Sequence, residues 1–325
     1  MSIAKHSKMM WIFSLLVLIA APARAQYAAV QNFGSLGPAP DQFDHPFALC
    51  NDGSNNVYIA DQQNNRVSHY TRTGALLGSW NVPGTGPGGI SHPSGIALSP
   101  TGLVYVSEHQ SHRISVWNSS GVLQFYIGTP GSAAGQFLYP AHIVFDAAGN
   151  LYVADSYNDR VQKLTATGAV LNVLGGYGSG PGQMETPYGV DVDNAGNLYV
   201  GEYYGSRVQK FGPAGNFILG WGGAGTAVGR FNAAEGIAHD AFDHMYVSDT
   251  GNNRIQVFTS SGALLGTFGS LGAGLAEMYT PSDVEVFPSG EVLVADWNNA
   301  RIDRWTAAPT PARKTSWSAV KARYR

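Results

Sequence analysis

A fixed internal period constrains this chain more than any other feature. The stretch ADSYNDRVQKL (154–164) holds a carboxylate and a guanidinium five residues apart across a polar turn. The arrangement returns as ADQQNNRV from Ala60, SEHQSHRI from Ser107, GEYYGSRV from Gly201, SDTGNNRI from Ser248 and ADWNNARI from Ala295. The arginines are Arg66, Arg113, Arg160, Arg207, Arg254 and Arg301, and every step between them is 47 residues. Six copies without insertion or loss point to one closed repeat architecture, where a length of 325 residues would otherwise suggest two domains.

The copy from Pro140 contains four short β-rich runs, HIVF, NLYVAD, RVQKL and AVLNVLG, separated by DAAG, SYND, TATG and a Gly/Pro-rich connection. Those are turn and loop signals at strand spacing, so each copy reads as a four-stranded antiparallel meander. One such sheet cannot bury both faces, and the spacing therefore predicts an all-β, six-bladed β-propeller. After Trp305 the last copy lacks the GALLGSW-type fourth strand seen at Gly74, Gly121, Gly168, Gly215 and Gly262. Counting back one period from Gly74 lands on Tyr27, and YAAVQNFG reads as the missing strand. The N-terminal strand is expected to complete the last blade and cover two open edges.

Residues 1–25 stand apart: Lys5 and Lys8 precede the apolar run MMWIFSLLVLIAA, followed by Ala23-Arg24-Ala25. This is the pattern of a secretory signal peptide, and the run is short of the roughly 20 residues a membrane span needs. The expectation is a secreted or periplasmic monomer with no span after signal removal, a propeller over 26–306 and a basic, disordered tail over 307–325. The sole cysteine, Cys50, excludes an intramolecular disulfide and reads as a buried small hydrophobe. Without Lys5, Lys8 and Arg24 the chain has 16 basic and 22 acidic side chains, and five of those bases fall in the tail. The acidic repeat region argues against nucleic acid as a partner.

The units HPSGIALSPTGLVYVSEHQSHRISVW (92–117) and TPYGVDVDNAGNLYVGEYYGSRVQKF (186–211) resemble NHL repeats, and the resemblance covers nearly all of residues 27–305. It implies the propeller but not an activity, because this fold hosts RNA binders, sensor ectodomains, interaction platforms and a class of lyase. The chain is similar in repeat pattern to the peptidyl-amidoglycolate lyases. That resemblance implies zinc on histidines directly following the prolines that open inner strands, and a channel calcium on an aspartate two residues after such a proline. No histidine here directly follows those prolines; His142 comes one residue later, which on an alternating strand points the other way. Asp283, in TPSDVEV, matches the calcium position.

The carboxylates Asp61, Glu108, Asp155, Glu202, Asp249 and Asp296 end second strands and the six arginines begin third strands. Identical chemistry at six equivalent positions reads as structural, with each guanidinium fork binding its carboxylate or loop carbonyls bidentately. Pro46, Pro93, Pro140, Pro187 and Pro281 open inner strands, and Ala234 alone breaks that series.

Specific function should lie where the copies differ. Along the inner strands the ionisable exceptions are His142, Asp191, Glu235, Asp283 and Glu285. Blades three and six oppose one another in a six-fold ring, which sets His142 across the channel from Asp283 and Glu285. His142, Asp191, Asp283 and Glu285 are thus candidates for a structural calcium, against the alternative of polar groups lining a wet channel. His109 and His112 could join Glu108 at a zinc ion, but the loop offers no fourth ligand and they read as a surface pair. The loops between second and third strands carry Tyr157, Tyr203, Tyr204 and Trp297, on the face where Phe47, Tyr188 and Glu235 open the channel. Loops held by a rigid scaffold carry function, and this face is expected to bind a peptide, protein or glycan of the cell envelope or outside. The alternative is a metal-dependent enzyme of lyase or lactone-hydrolase type with its site at the central channel.

Overall fold

Alternating and continuous apolar runs settle into strands where the spacing places them. In the third copy these are Pro140–Phe145, Asn150–Asp155, Arg160–Thr165 and Val170–Gly175, paired antiparallel in sequence order. The computed structural model describes residues 27–81 and 88–307, and over these the chain forms six four-stranded sheets, a six-bladed propeller. The leader expected over 1–25 and the tail from 308 lie outside the described residues. Among the described residues no helix is long and apolar enough to cross a membrane.

The sixth blade is assembled from both ends of the described chain. Its strands Pro281–Val286, Glu291–Asp296 and Arg301–Ala307 are completed by Tyr27–Phe33, with Tyr27 opposite Ala307 and Phe33 opposite Ile302. Tyr27 also reaches the fifth blade, where its hydroxyl lies 2.7 Å from that of Tyr246 and its ring 4.5 Å from Phe268.

Each blade is thin, so its apolar faces meet those of its neighbours. Six buried clusters result, one at each seam between blades. The seam between blades six and one is built like the others, from Phe43, Leu49 and Tyr70 against Phe287, Leu293 and Ile302. The connections between blades are pinned by Phe43, Ile90, Phe137, Met184, Phe231 and Met278, all fully buried and one period apart. Cys50 corrects one expectation, since it is half-buried at the channel wall. Burial and nearby carboxylates push its thiol up, which keeps it protonated and a poor nucleophile.

The repeated carboxylate and arginine lock these connections. Arg160 meets Asp155 through Nε alone, at 2.7 Å, and its two terminal nitrogens donate to the carbonyls of Ser132, Ala133 and Gln136 in the preceding connection. Of the two partners expected from sequence, the carboxylate receives a single bond and the fork serves the loop carbonyls. Asp155 in turn accepts from the Leu138 backbone N–H at 2.7 Å and from Asn158. The same backbone contact recurs at Asp61, Glu202, Asp249 and Asp296.

A second series ties each blade to the next. Asn65, His112, Asp159, Ser206 and Asn253 adopt left-handed backbone conformations, and each accepts a bond from the backbone N–H of His92, Tyr139, Thr186, Ala233 or Thr280 in turn. His112 thus commits its Nδ1 to a structural latch. Among the described residues no group of three or more His, Cys, Asp or Glu side chains is placed to hold a metal.

Candidate functional site

Every inner strand begins with an irregularity that the sequence does not announce. Pro46 pairs with Asp61 and Ala48 with Ala60, which leaves Phe47 as an extra residue; Ser94, Tyr188 and Ser282 are extra in the same way. In blades three and five the shift spans Ala141–His142 and Glu235–Gly236. A β-bulge breaks strict alternation and re-aims side chains. Hence both the first and the second residue after the proline position reach the channel: Phe47 and His142 meet there, ring centroids 5.8 Å apart. The expectation that a one-residue shift would turn His142 away is corrected by this bulge.

Two chambers open from that layer. The lower one, of about 540 Å³, lies on the side of the turns between first and second strands and takes in His142, Asp191, Asp283 and Glu285. His142 does face blade six, with Nδ1 3.5 Å from Asp283. The structure does not bring the four together as a group placed to hold a metal, and at least one oxygen of each carboxylate already has a protein partner. Asp283 accepts from the Leu49 N–H at 2.8 Å, Glu285 from the Asn51 amide, and Asp191 from the Val192 N–H and from His239 at 2.6 Å. Burial raises Asp283 well above the usual carboxylate range and pushes Glu285 up to about 8, so both favour the neutral form. His142, fully enclosed, is pushed down to about 4 by the same cause. Burial also works against His239, but the Asp191 carboxylate overrides it and lifts the imidazole to about 9. Sequence reasoning missed His239. It stands next to Asp191 because the last inner-strand residue of one blade abuts the preceding blade, as Asn51 abuts Glu285.

The upper chamber, of about 370 Å³, collects Phe47, Tyr157, Tyr188, Tyr203, Tyr204, Glu235 and Trp297, contributed by five blades. Their rings form a nearly continuous wall: Phe47 to Tyr188 is 5.9 Å, Tyr188 to Tyr203 5.6 Å and Tyr203 to Tyr204 5.1 Å. Tyr157 and Tyr204 stay largely exposed at the rim, while Glu235 is buried in the floor. The floor also holds Gln62, Ser282 and Thr250, and the wall His92, His109, Thr186 and Thr280, none of which sequence reasoning placed at this face. A signal existed for three of these. Gln62, His109, Ser156, Tyr203, Thr250 and Trp297 form one column at the 47-residue step, directly after the carboxylates, and all but Ser156 line the chamber.

Burial pushes Glu235 up to about 8, and the one side-chain hydrogen bond opposing the shift is to Thr250. His109 is pushed down by burial to about 4 and His92 is lowered for the same reason. Both imidazoles are therefore neutral near neutral pH. The chamber offers aromatic faces, a few hydroxyls and one carboxyl, a combination suited to binding an apolar, hydroxyl-rich or cationic group.

Comparison with known proteins agrees with this architecture. A family model for the NHL repeat matches residues 137–164. No curated protein matches the sequence. Among solved structures, a streptogramin B lyase superposes with a TM-score of 0.62 at 15% identity, covering 87% of this chain and 98% of that one. A virginiamycin B lyase from Staphylococcus aureus, with quinupristin, gives 0.59 at 18%, covering 83% of each chain. A gluconolactonase from Xanthomonas campestris gives 0.63 at 13%, covering 89% of this chain and 99% of that one. At these identities the likeness is one of fold, and the chemistry has to be argued from the chambers themselves.

Proposed function

We propose that this protein is an exported binding propeller whose upper chamber captures a peptide or glycan of the cell envelope or its surroundings. The observation that carries the reading is the convergence of six aromatic side chains and Glu235 from five blades on one concave site. Such rings present large, rigid contact area at low entropic cost, and a rigid ring of blades holds them in place before a ligand arrives. Export follows from the leader-like pattern of residues 1–25. The test is capture from a panel of envelope peptides and glycans by the wild type and by a variant with alanine at Tyr203, Tyr204 and Trp297. The variant should keep its melting temperature and lose most of its capture; equal capture by both would overturn the reading.

A second reading is an enzyme of lyase or lactone-hydrolase type. It is favoured by the propeller lyases and gluconolactonase that share the fold, and by the pairing of Asp191 with His239 in the lower chamber. Held cationic by its carboxylate, His239 could donate a proton to a leaving oxygen. Turnover of quinupristin or gluconolactone, lost in His239→Ala, would establish it.

A further inference from the structure

The upper chamber has an unusual charge inventory. Among the described residues lining it there is one carboxyl, Glu235, and no lysine or arginine. With His92 and His109 neutral, the single formal charge that this chamber can acquire is negative, and aromatic faces surround it.

The hydrogen bonding around Glu235 fixes how that charge is stored. Thr250 Oγ1 lies 2.8 Å from Glu235 Oε2 and 2.8 Å from the Pro281 carbonyl oxygen. A hydroxyl has one proton to donate, and a carbonyl can only accept. In the third blade the equivalent Ser156 donates to the equivalent carbonyl, that of Pro187, at 2.7 Å. If Thr250 does the same, its oxygen is left as an acceptor, and the group that donates to it is a protonated Glu235. The empty chamber thus holds a neutral carboxylic acid under a ring of aromatic faces, consistent with the direction in which burial moves that acid.

We infer that the ligand of this chamber is an organic ammonium ion, whose arrival ionises Glu235. This deepens the binding function proposed above and rests on it. A cation in the chamber gains the electrostatic attraction of the ring faces and a carboxylate that forms as it enters. The step balances: Glu235 loses its proton to solvent, the ammonium replaces it as the positive partner, and Thr250 can turn its own proton toward the new carboxylate. A neutral sugar hydroxyl would meet Glu235 as one more polar group, without exchanging a proton.

The experiment is calorimetry with choline and with neohexyl alcohol, its neutral isostere in which carbon replaces the charged nitrogen. Nα-acetyl-lysine methylamide serves as a third probe. Choline should bind at least about tenfold more tightly than the alcohol. Its affinity should rise as pH is raised from about 6 to about 8 and then level off, with close to one proton released per ligand at neutral pH. Glu235→Gln should remove the proton release and most of the preference for choline over the alcohol, leaving only what the ring faces supply. Preference for the lysine derivative over choline would support the ammonium and identify its source as a peptide side chain. Equal binding of choline and alcohol, or choline binding without proton release, would overturn the inference. Glycan or neutral-peptide capture lost in the triple alanine variant, with no ammonium bound, would overturn it while leaving the binding function standing.

Discussion

Arg160 divides its guanidinium between one carboxylate and three carbonyls, and that division explains why the residue recurs unchanged at the same place in every blade. A lysine could supply the charge but not the planar fork that reaches several carbonyls of the connection at once. Arg160→Ala should cost about 1–3 kcal/mol in a denaturant titration, because the buried Asp155 and the connection lose their partner together. Unchanged stability with lost ligand capture would instead assign the arginine a functional role. At this scale the sequence was legible where a column repeats and opaque where it bends. The aromatic residues of the upper chamber could be gathered from their positions on the loops and at the start of the inner strands. The bulge that brings His142 and Phe47 to one layer could not, since alternation is the default assumption for any strand and nothing in PAHIVF or PFALCN breaks it.

Between blades, the latch is the instructive element, and its one missing member is Ala300. Ala300 has the left-handed conformation of Asn65 and Asn253, with φ of 51°, but no side-chain atom to accept from the backbone of His45. An alanine in that conformation costs roughly 1 kcal/mol that asparagine largely avoids. Ala300→Asn should therefore raise the denaturant midpoint, by about 1 kcal/mol in free energy, through relief of strain and a restored latch. A loss of stability would mean that the buried site cannot admit the amide. The seam between blades four and five shows what a sequence column can and cannot convey. It identifies equivalent positions at once, but the pairing of Asp191 with His239 depends on which neighbour each inner strand meets and at what height.

The whole ring is poised by buried ionisable groups that hold protons at neutral pH. Glu235 and Glu285 are raised to about 8 by burial, Asp303 to about 8 by burial and the adjacent Asp296, and His239 to about 9 by Asp191 against its burial. Each binds its proton more tightly folded than unfolded. Their contribution is complete below the unfolded values and is lost as pH rises through the folded ones. His109 and His142, lowered to about 4, act oppositely, and their contribution fades as pH falls below about 6.5. Above about pH 6.5 the raised groups thus all act in one direction, and the melting temperature should fall steadily toward about pH 9. The fall should be shallower in a Glu235→Gln/Glu285→Gln double variant; a flat wild-type profile would contradict neutral buried carboxyls.

Closure of the sixth blade also imposes an order in time. Among the described residues, Tyr27–Phe33 is the first strand to be made and Arg301–Ala307, its partner, the last. At ordinary rates of synthesis roughly half a minute separates them, during which five blades can form while the first strand has nothing to pair with. A nascent chain of this protein therefore has a fixed interval in which its apolar edge must be kept from other chains, and a ribosome stalled anywhere before Arg301 releases a ring that cannot shut.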